Sequence, residues 1–168
     1  MKRSNYNSRK NIQIQLDEFF YKNDLLLYCG NFKYFAGKRF AIIGSSPVSL
    51  IAGNIFAAYG GHVTIFEKSK GLGGAWSSIK MDKMYVPAST HIIMPNPLLF
   101  DLLKIFGVGI LPWTVNPKLL NWTTKDLGPF PKAQNEYKAS LSKNYVDAVE
   151  LINSLTESLV KRGAKFRF

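Results

Sequence analysis

The chain has 168 residues, 46% of them hydrophobic and 14% aromatic, with a formal net charge of +11. That is enough apolar material for one sizeable core and excludes a disordered chain. The charge does not read as a nucleic-acid footprint: residues 1–39 hold eight Lys/Arg against three acids and the rest fourteen against eight, so the excess is spread thinly and no run of five or six like charges occurs.

The single cysteine, Cys29, excludes an internal disulfide framework and leaves no Cys/His set with zinc spacing, so no metal is expected. This usage fits an intracellular, reducing compartment, the cytoplasm. Met1–Lys10 is basic and polar, with no apolar stretch and cleavage site directly behind it. It reads as a flexible arm and not as a secretory signal.

Residues 1–38 form an N-terminal extension. Ile12, Ile14 and Leu16 alternate with polar residues while Leu16, Phe19 and Phe20 have helical spacing, which predicts a helix over 16–21. The stretch from Phe40 to Phe66 contains no Asp, Glu, Lys or Arg. It is not a membrane span, because Gly44-Ser-Ser-Pro47 and Gly60-Gly61 divide it into a strand of about five residues, a helix of about a dozen and a second strand. Arg39–Ile43 is the first strand, with Pro47 in the first turn of the helix, where its missing N–H costs nothing. Leu50, Ile51, Ile55 and Phe56 supply the packing face of that helix. His62–Phe66 is the second strand and Glu67 ends it.

Trp76 to Pro87 is a loop or short hairpin. Asn96-Pro97 is an N-cap followed by proline at the first helical position, and Leu99, Leu102, Leu103 and Phe106 repeat at helical spacing until Gly107. An irregular insertion occupies about 108–144. A long helix then places Ala148, Leu151, Ile152, Leu155 and Leu159 on one face, with Lys161 and Arg162 at its negative end and Gly163 closing it. Ala164–Phe168 begins a strand. The fold class is therefore α/β, a Rossmann-like β-α-β unit with a parallel sheet over 39–168, incomplete at the C-terminus.

The turn between the first strand and helix carries the chemistry. A pyrophosphate is met best by backbone N–H groups at a helix N-terminus, and glycines permit the close approach. Gly44 holds the first position of the G-x-G-x-x-G pattern, while Ser46 and Ser49 hold the second and third. Glu67 stands 23 positions after Gly44, near the spacing at which an acid meets a ribose diol.

The order Ile42-Ile-Gly-Ser-Ser-Pro-Val-Ser-Leu50, Val63-Thr-Ile-Phe-Glu-Lys68 and Leu72-Gly-Gly-Ala-Trp-Ser-Ser78 resembles the N-terminal region of FAD-dependent oxidoreductases. The resemblance is to the group of amine oxidases, phytoene desaturases, protoporphyrinogen oxidases and UDP-galactopyranose mutases, in which a Gly-Gly-Arg-x-x-Ser/Thr segment follows the ribose acid. It covers Arg39 to Gly107, and more loosely 145–168. It implies that Gly44, Ser45, Ser46, Pro47, Val48 and Ser49 face the FAD pyrophosphate, that Glu67, with Lys68 beside it, binds the adenosine ribose, and that Gly73, Gly74 and Ser78 run along the cofactor. Ala75 stands where the group has Arg, which removes one charge contact to the pyrophosphate. Trp76 becomes a packing residue and cofactor wall, and His91 a flavin contact. No catalytic residue is identified, as expected where a cofactor supplies the redox chemistry.

The resemblance further implies the N-terminal portion of a flavoenzyme, truncated before its substrate domain, with an unknown small-molecule substrate. The alternatives are a non-catalytic dinucleotide-binding or interaction module paired with a separately encoded C-terminal half, and an NAD-dependent dehydrogenase domain, which the Gly73-Gly74 segment disfavours. No transmembrane segment and no nucleic-acid partner are expected.

Overall fold

In the computed structural model, residues 2–25, 32–87, 96–109, 118–120, 127–129 and 148–168 are described. The chain runs α1 (Lys2–Lys22), β1 (Arg39–Ile43), α2 (Pro47–Ala58), β2 (His62–Phe66), β3 (Ser78–Met81), β4 (Met84–Pro87), α3 (Pro97–Ile105), β5 (Lys118–Leu120), β6 (Leu127–Pro129), α4 (Ala148–Lys161) and β7 (Lys165–Arg167). The β1-α2-β2 unit has the expected boundaries.

The sheet that positions everything else has three parallel strands in the order β1-β2-β7. Phe40 pairs with Val63 and Ile42 with Ile65, and Ile65 in turn with Phe166, so these side chains share one face. Val63 and Ile65 are buried there, beneath α2 and α4, which pack against each other. Two crossovers in one direction place both helices on the same side of the sheet. The opposite face, with Arg39, Ala41, Ile43, His62, Phe66, Lys165 and Arg167, is exposed, and Ile43 is 80% accessible.

Residues 1–38 depart from expectation. The predicted helix over 16–21 extends from Lys2 to Lys22, so it takes in residues 2–10 of the stretch read as a flexible arm. Period-two alternation at Ile12, Ile14 and Leu16 had obscured it. Leu16, Phe19 and Phe20 are buried in the same core as Leu50 and Ile65. Phe20 contacts Phe32, whose ring stacks on Tyr59 at 4.7 Å, and the Tyr59 hydroxyl donates to Asp17 at 2.6 Å, fastening α1 to the end of α2.

Of the two alternatives for 76–87, a loop or a short hairpin, the structure has the hairpin, with β3 paired antiparallel with β4. Asn96 caps α3 by accepting from Leu99 N at 3.1 Å, and Phe100, Leu103 and Phe106 are buried. The insertion at 108–144 is not wholly irregular: Lys118–Leu120 and Leu127–Pro129 form an antiparallel ladder. Three-residue strands are too short for alternation to announce them. In α4, Ala148, Leu151, Ile152, Leu155 and Leu159 are all buried, as their spacing requires.

Candidate dinucleotide-binding site

The site lies at the C-terminal ends of β1 and β2, where parallel α/β sheets present ligands to helix N-termini. Gly44 leaves β1 with φ +87, a conformation that side chains disfavour, and its N–H donates to Phe66 O at 2.7 Å, continuing the strand ladder into the turn. The chain then enters α2 through Ser46, the N-cap, whose Oγ accepts from Ser49 N at 3.3 Å and lies 3.0 Å from Ser49 Oγ.

Backbone donors in this turn can be accounted for one by one. Gly44 N is used by Phe66 O, Ser45 N by the Glu67 carboxylate, Ser49 N by Ser46 Oγ and Leu50 N by Ser46 O. Pro47 has none. The N–H groups of Ser46 and Val48 are left at the mouth of the turn without a partner among the described residues. Two amide donors at the positive end of a 12-residue helix form a cradle of the kind that a phosphate group fits.

Glu67 follows β2 directly and is 7% accessible. Its Oε2 accepts from Ser45 N at 2.9 Å and from Ser45 Oγ at 2.6 Å, and its Oε1 accepts from Ser69 N at 3.0 Å. The Ser45 hydroxyl, followed by the Ser69 amide, holds the Glu67 carboxyl below the ordinary carboxylate range, against the opposing effect of burial. The acid is thus ionised at neutral pH and fixed in orientation.

The Gly73-Gly74 segment is drawn in by the same serine: Gly73 N donates to Ser45 O at 3.1 Å and to Ser45 Oγ at 3.0 Å. Gly73 has φ +107, and a Cβ there would meet Ile152 Cγ1 and Ser77 N, each at 3.1 Å. Gly74 opens onto free space. The structure therefore brings together Gly44, Ser45, Ser46, Pro47, Val48, Ser49, Glu67, Gly73 and Gly74. Lys68 is exposed beyond Glu67, and Ala75 is exposed beside Gly74. Trp76 packs against the core and lines, with Ser46, Val48, Leu99, Leu103 and Leu151, an apolar cavity of about 330 Å³. Ser78 opens β3 with its hydroxyl buried and unpartnered. His91 lies outside the described residues.

Sequence reasoning missed one contributor, Ser69, and misplaced another: Ser45, expected to face the pyrophosphate, is buried with its hydroxyl on Glu67 and Gly73. Ser69 was legible in principle, since an acid two residues before an amide donor favours a local turn bond. The joining role of Ser45 was not legible, because it depends on where Glu67 and Gly73 arrive in space. Among the described residues there is no group of three or more His, Cys, Asp or Glu placed to hold a metal, and no helix is long and apolar enough to cross a membrane.

A family model described as an NAD(P)-binding Rossmann-like domain matches residues 42–106, which is less than half of the chain. No curated protein matches. Among solved structures, a protein from Pyrococcus furiosus is similar at 16% identity and TM-score 0.53, covering 76% of this chain and 50% of that one. An oxidoreductase from Methanosarcina mazei is similar at 12% identity and TM-score 0.52, covering 77% and 50%. The chain thus spans about half the length of these structures, and the likeness is one of fold. Sheet order, helix placement and the match over 42–106 together identify a Rossmann-like NAD(P)-binding α/β fold, the architecture of a dinucleotide-binding domain.

Proposed function

We propose that the chain is the FAD-binding portion of a flavin-dependent oxidoreductase. The observation that carries this reading is the convergence on one sheet edge of the Ser46 and Val48 N–H groups, the ionised Glu67 carboxylate and the Gly73-Gly74 segment. The first pair suits a phosphate, the acid suits a ribose diol, and the glycines leave room for the chain of atoms between them. FAD is preferred over NAD because Gly-Gly after the ribose acid belongs to the flavoprotein pattern in the sequence. Bound flavin would supply the hydride or electron transfer, and the residues named here bind and orient it. The oxidoreductase from Methanosarcina mazei, similar in fold, supports the reaction class.

A second reading is favoured by the uncovered face of the sheet. Parallel sheets are ordinarily covered on both faces, yet Ala41, Ile43 and Phe66 are exposed and β1 has no neighbour on its outer side among the described residues. A non-catalytic module completed by a second polypeptide, which would carry the substrate site, accounts for that face.

Incubation with FAD, NAD or NADP followed by desalting tests the flavin reading. Retained absorbance near the blue flavin band is expected with FAD. A protein that stays colourless while binding NAD or NADP by calorimetry overturns the flavin reading.

A further inference from the structure

We propose that Ser45 is the positioning residue of this site: its hydroxyl couples the acid at the end of β2 to the Gly73-Gly74 segment, so that the ribose acid and the glycines beside the cofactor are set as one unit. The inference rests on the dinucleotide reading above and names the residue that organises it.

Ser45 is 1% accessible, so its hydroxyl is turned away from any ligand. A serine has one O–H to donate and lone pairs to accept with. A carboxylate oxygen only accepts and an amide N–H only donates, so the direction of each bond is fixed. Gly73 N–H donates to Ser45 Oγ at 3.0 Å and Ser45 Oγ–H donates to Glu67 Oε2 at 2.6 Å, giving a relay from the glycine segment to the acid. Ser45 N adds a second bond to the same Oε2 at 2.9 Å. Oε2 is thereby filled, and Oε1, held on one side by Ser69 N at 3.0 Å, is the oxygen left for a ribose hydroxyl.

An alanine at position 45 keeps the backbone bonds but removes the relay. Glu67 Oε2 loses its shortest bond and Gly73 loses one of its two acceptors. The charged residues next to Glu67 along the chain are Lys68 and Lys70, and Arg167 at the end of β7 meets it through its backbone carbonyl, which accepts from Glu67 N at 2.8 Å. Neither α2 nor residues 71–79 contain a charged side chain. No second acid therefore stands in these elements to confuse the titration.

ADP binding by calorimetry from pH 5 to 8, with Ser45→Ala and Ser45→Thr, tests the proposal. ADP's terminal phosphate itself titrates at about pH 6, so the readout is each variant's affinity relative to the wild type at the same pH. Ser45→Ala should bind ADP about tenfold more weakly at pH 7 and lose further affinity toward pH 5, as expected when a hydrogen bond to a charged group is removed, and Ser45→Thr should restore both. Carbon NMR titration of the Glu67 carboxyl in the ligand-free protein gives an independent readout: its midpoint should rise in Ser45→Ala and return in Ser45→Thr. A Ser45→Ala affinity equal to that of the wild type at every pH overturns the proposal. If the wild type binds no ADP, the dinucleotide reading fails, and an unmoved Glu67 titration then overturns the coupling as well. Should Ser45→Ala fail to fold, Ser45→Cys, a weaker donor of similar shape, carries the same comparison.

Discussion

Asn54 of α2 and Ser158 of α4 are joined by a 2.6 Å side-chain hydrogen bond inside an otherwise apolar helix pair. The Asn54 amide spans both helices, donating to Leu50 O and to Leu155 O at 2.9 Å each. Arg162, 5% accessible, closes the group by donating to Asn54 Oδ1 at 3.2 Å and to the Ser158 hydroxyl and carbonyl. Both atoms of the Asn54 amide and the Ser158 hydroxyl have buried partners, so these members specify one packing of the two helices. The group fixes the register of α4 on α2, and so where Ile152 meets Gly73 at the site.

Asn54→Ala is therefore expected to destabilise the fold by about 2–4 kcal/mol, because Ser158, Arg162 and Leu155 O lose a buried partner and a small cavity opens. Ser158→Ala should cost about 1 kcal/mol, since Arg162 retains Asn54. Urea unfolding of the two variants checks the ranking; equal costs would show that Asn54 does not centre the network.

Glu67 gives the fold a pH dependence of known sign. Its carboxyl titrates below its ordinary value in the folded chain. The stability it contributes is therefore fully present above the ordinary carboxylate range, about pH 4, and is lost as pH falls through the lower folded value. Glu67→Gln should be less stable than the wild type at pH 7, and the gap should narrow toward pH 3. Thermal melts over pH 3–7 measure it, and a constant gap would contradict the assignment.

The β1-α2-β2 unit was legible in the sequence because each level agreed: an uncharged strand, proline and N-cap serine at the helix start, and an acid at the second strand's end. α4 was legible because its apolar residues keep helical spacing through to Gly163. α1 was only partly so, since alternation at Ile12, Ile14 and Leu16 conflicts with the helical spacing of Phe19 and Phe20, and packing beneath Tyr59 decided it. The β5-β6 ladder was hidden by its brevity. At the site, residue types revealed the turn between β1 and α2 and the acid after β2, but the bonds that Ser45 makes to Glu67 and Gly73 span 22 and 28 positions and follow from tertiary arrangement alone.

The two glycines after the acid should respond differently to substitution. Gly73→Ala combines a left-handed φ with a Cβ 3.1 Å from Ile152 and from the Ser77 amide, so a loss of about 2–3 kcal/mol is expected. Gly74→Ala has φ +58 and open space, which limits its cost to about 1 kcal/mol. In a chain of this length each kcal/mol lowers Tm by about 2–4 °C. Thermal melts resolve the pair, and equal shifts would mean that Gly73 is not packed against α4 as described.

Ser46 occupies the second glycine position of the turn and fills part of its own anion site. Its Oγ accepts from Ser49 N at 3.3 Å, removing one of the amide donors that a helix N-terminus offers to a phosphate. Glycine is nearly as good an N-cap, so Ser46→Gly should cost only a few tenths of a kcal/mol in stability. It frees the Ser49 N–H and removes a Cβ from the approach of the pyrophosphate, raising the amide donors at the mouth from Ser46 and Val48 to include Ser49. ADP affinity is expected to rise about three- to tenfold, the gain of one hydrogen bond to a charged group offset by the weakened cap. Ser46→Val keeps the bulk, loses the cap and should show no such gain. Calorimetry with ADP decides between two roles for this side chain: tighter binding in Ser46→Gly makes the serine an internal competitor, whereas weaker binding would make its hydroxyl a phosphate ligand in its own right.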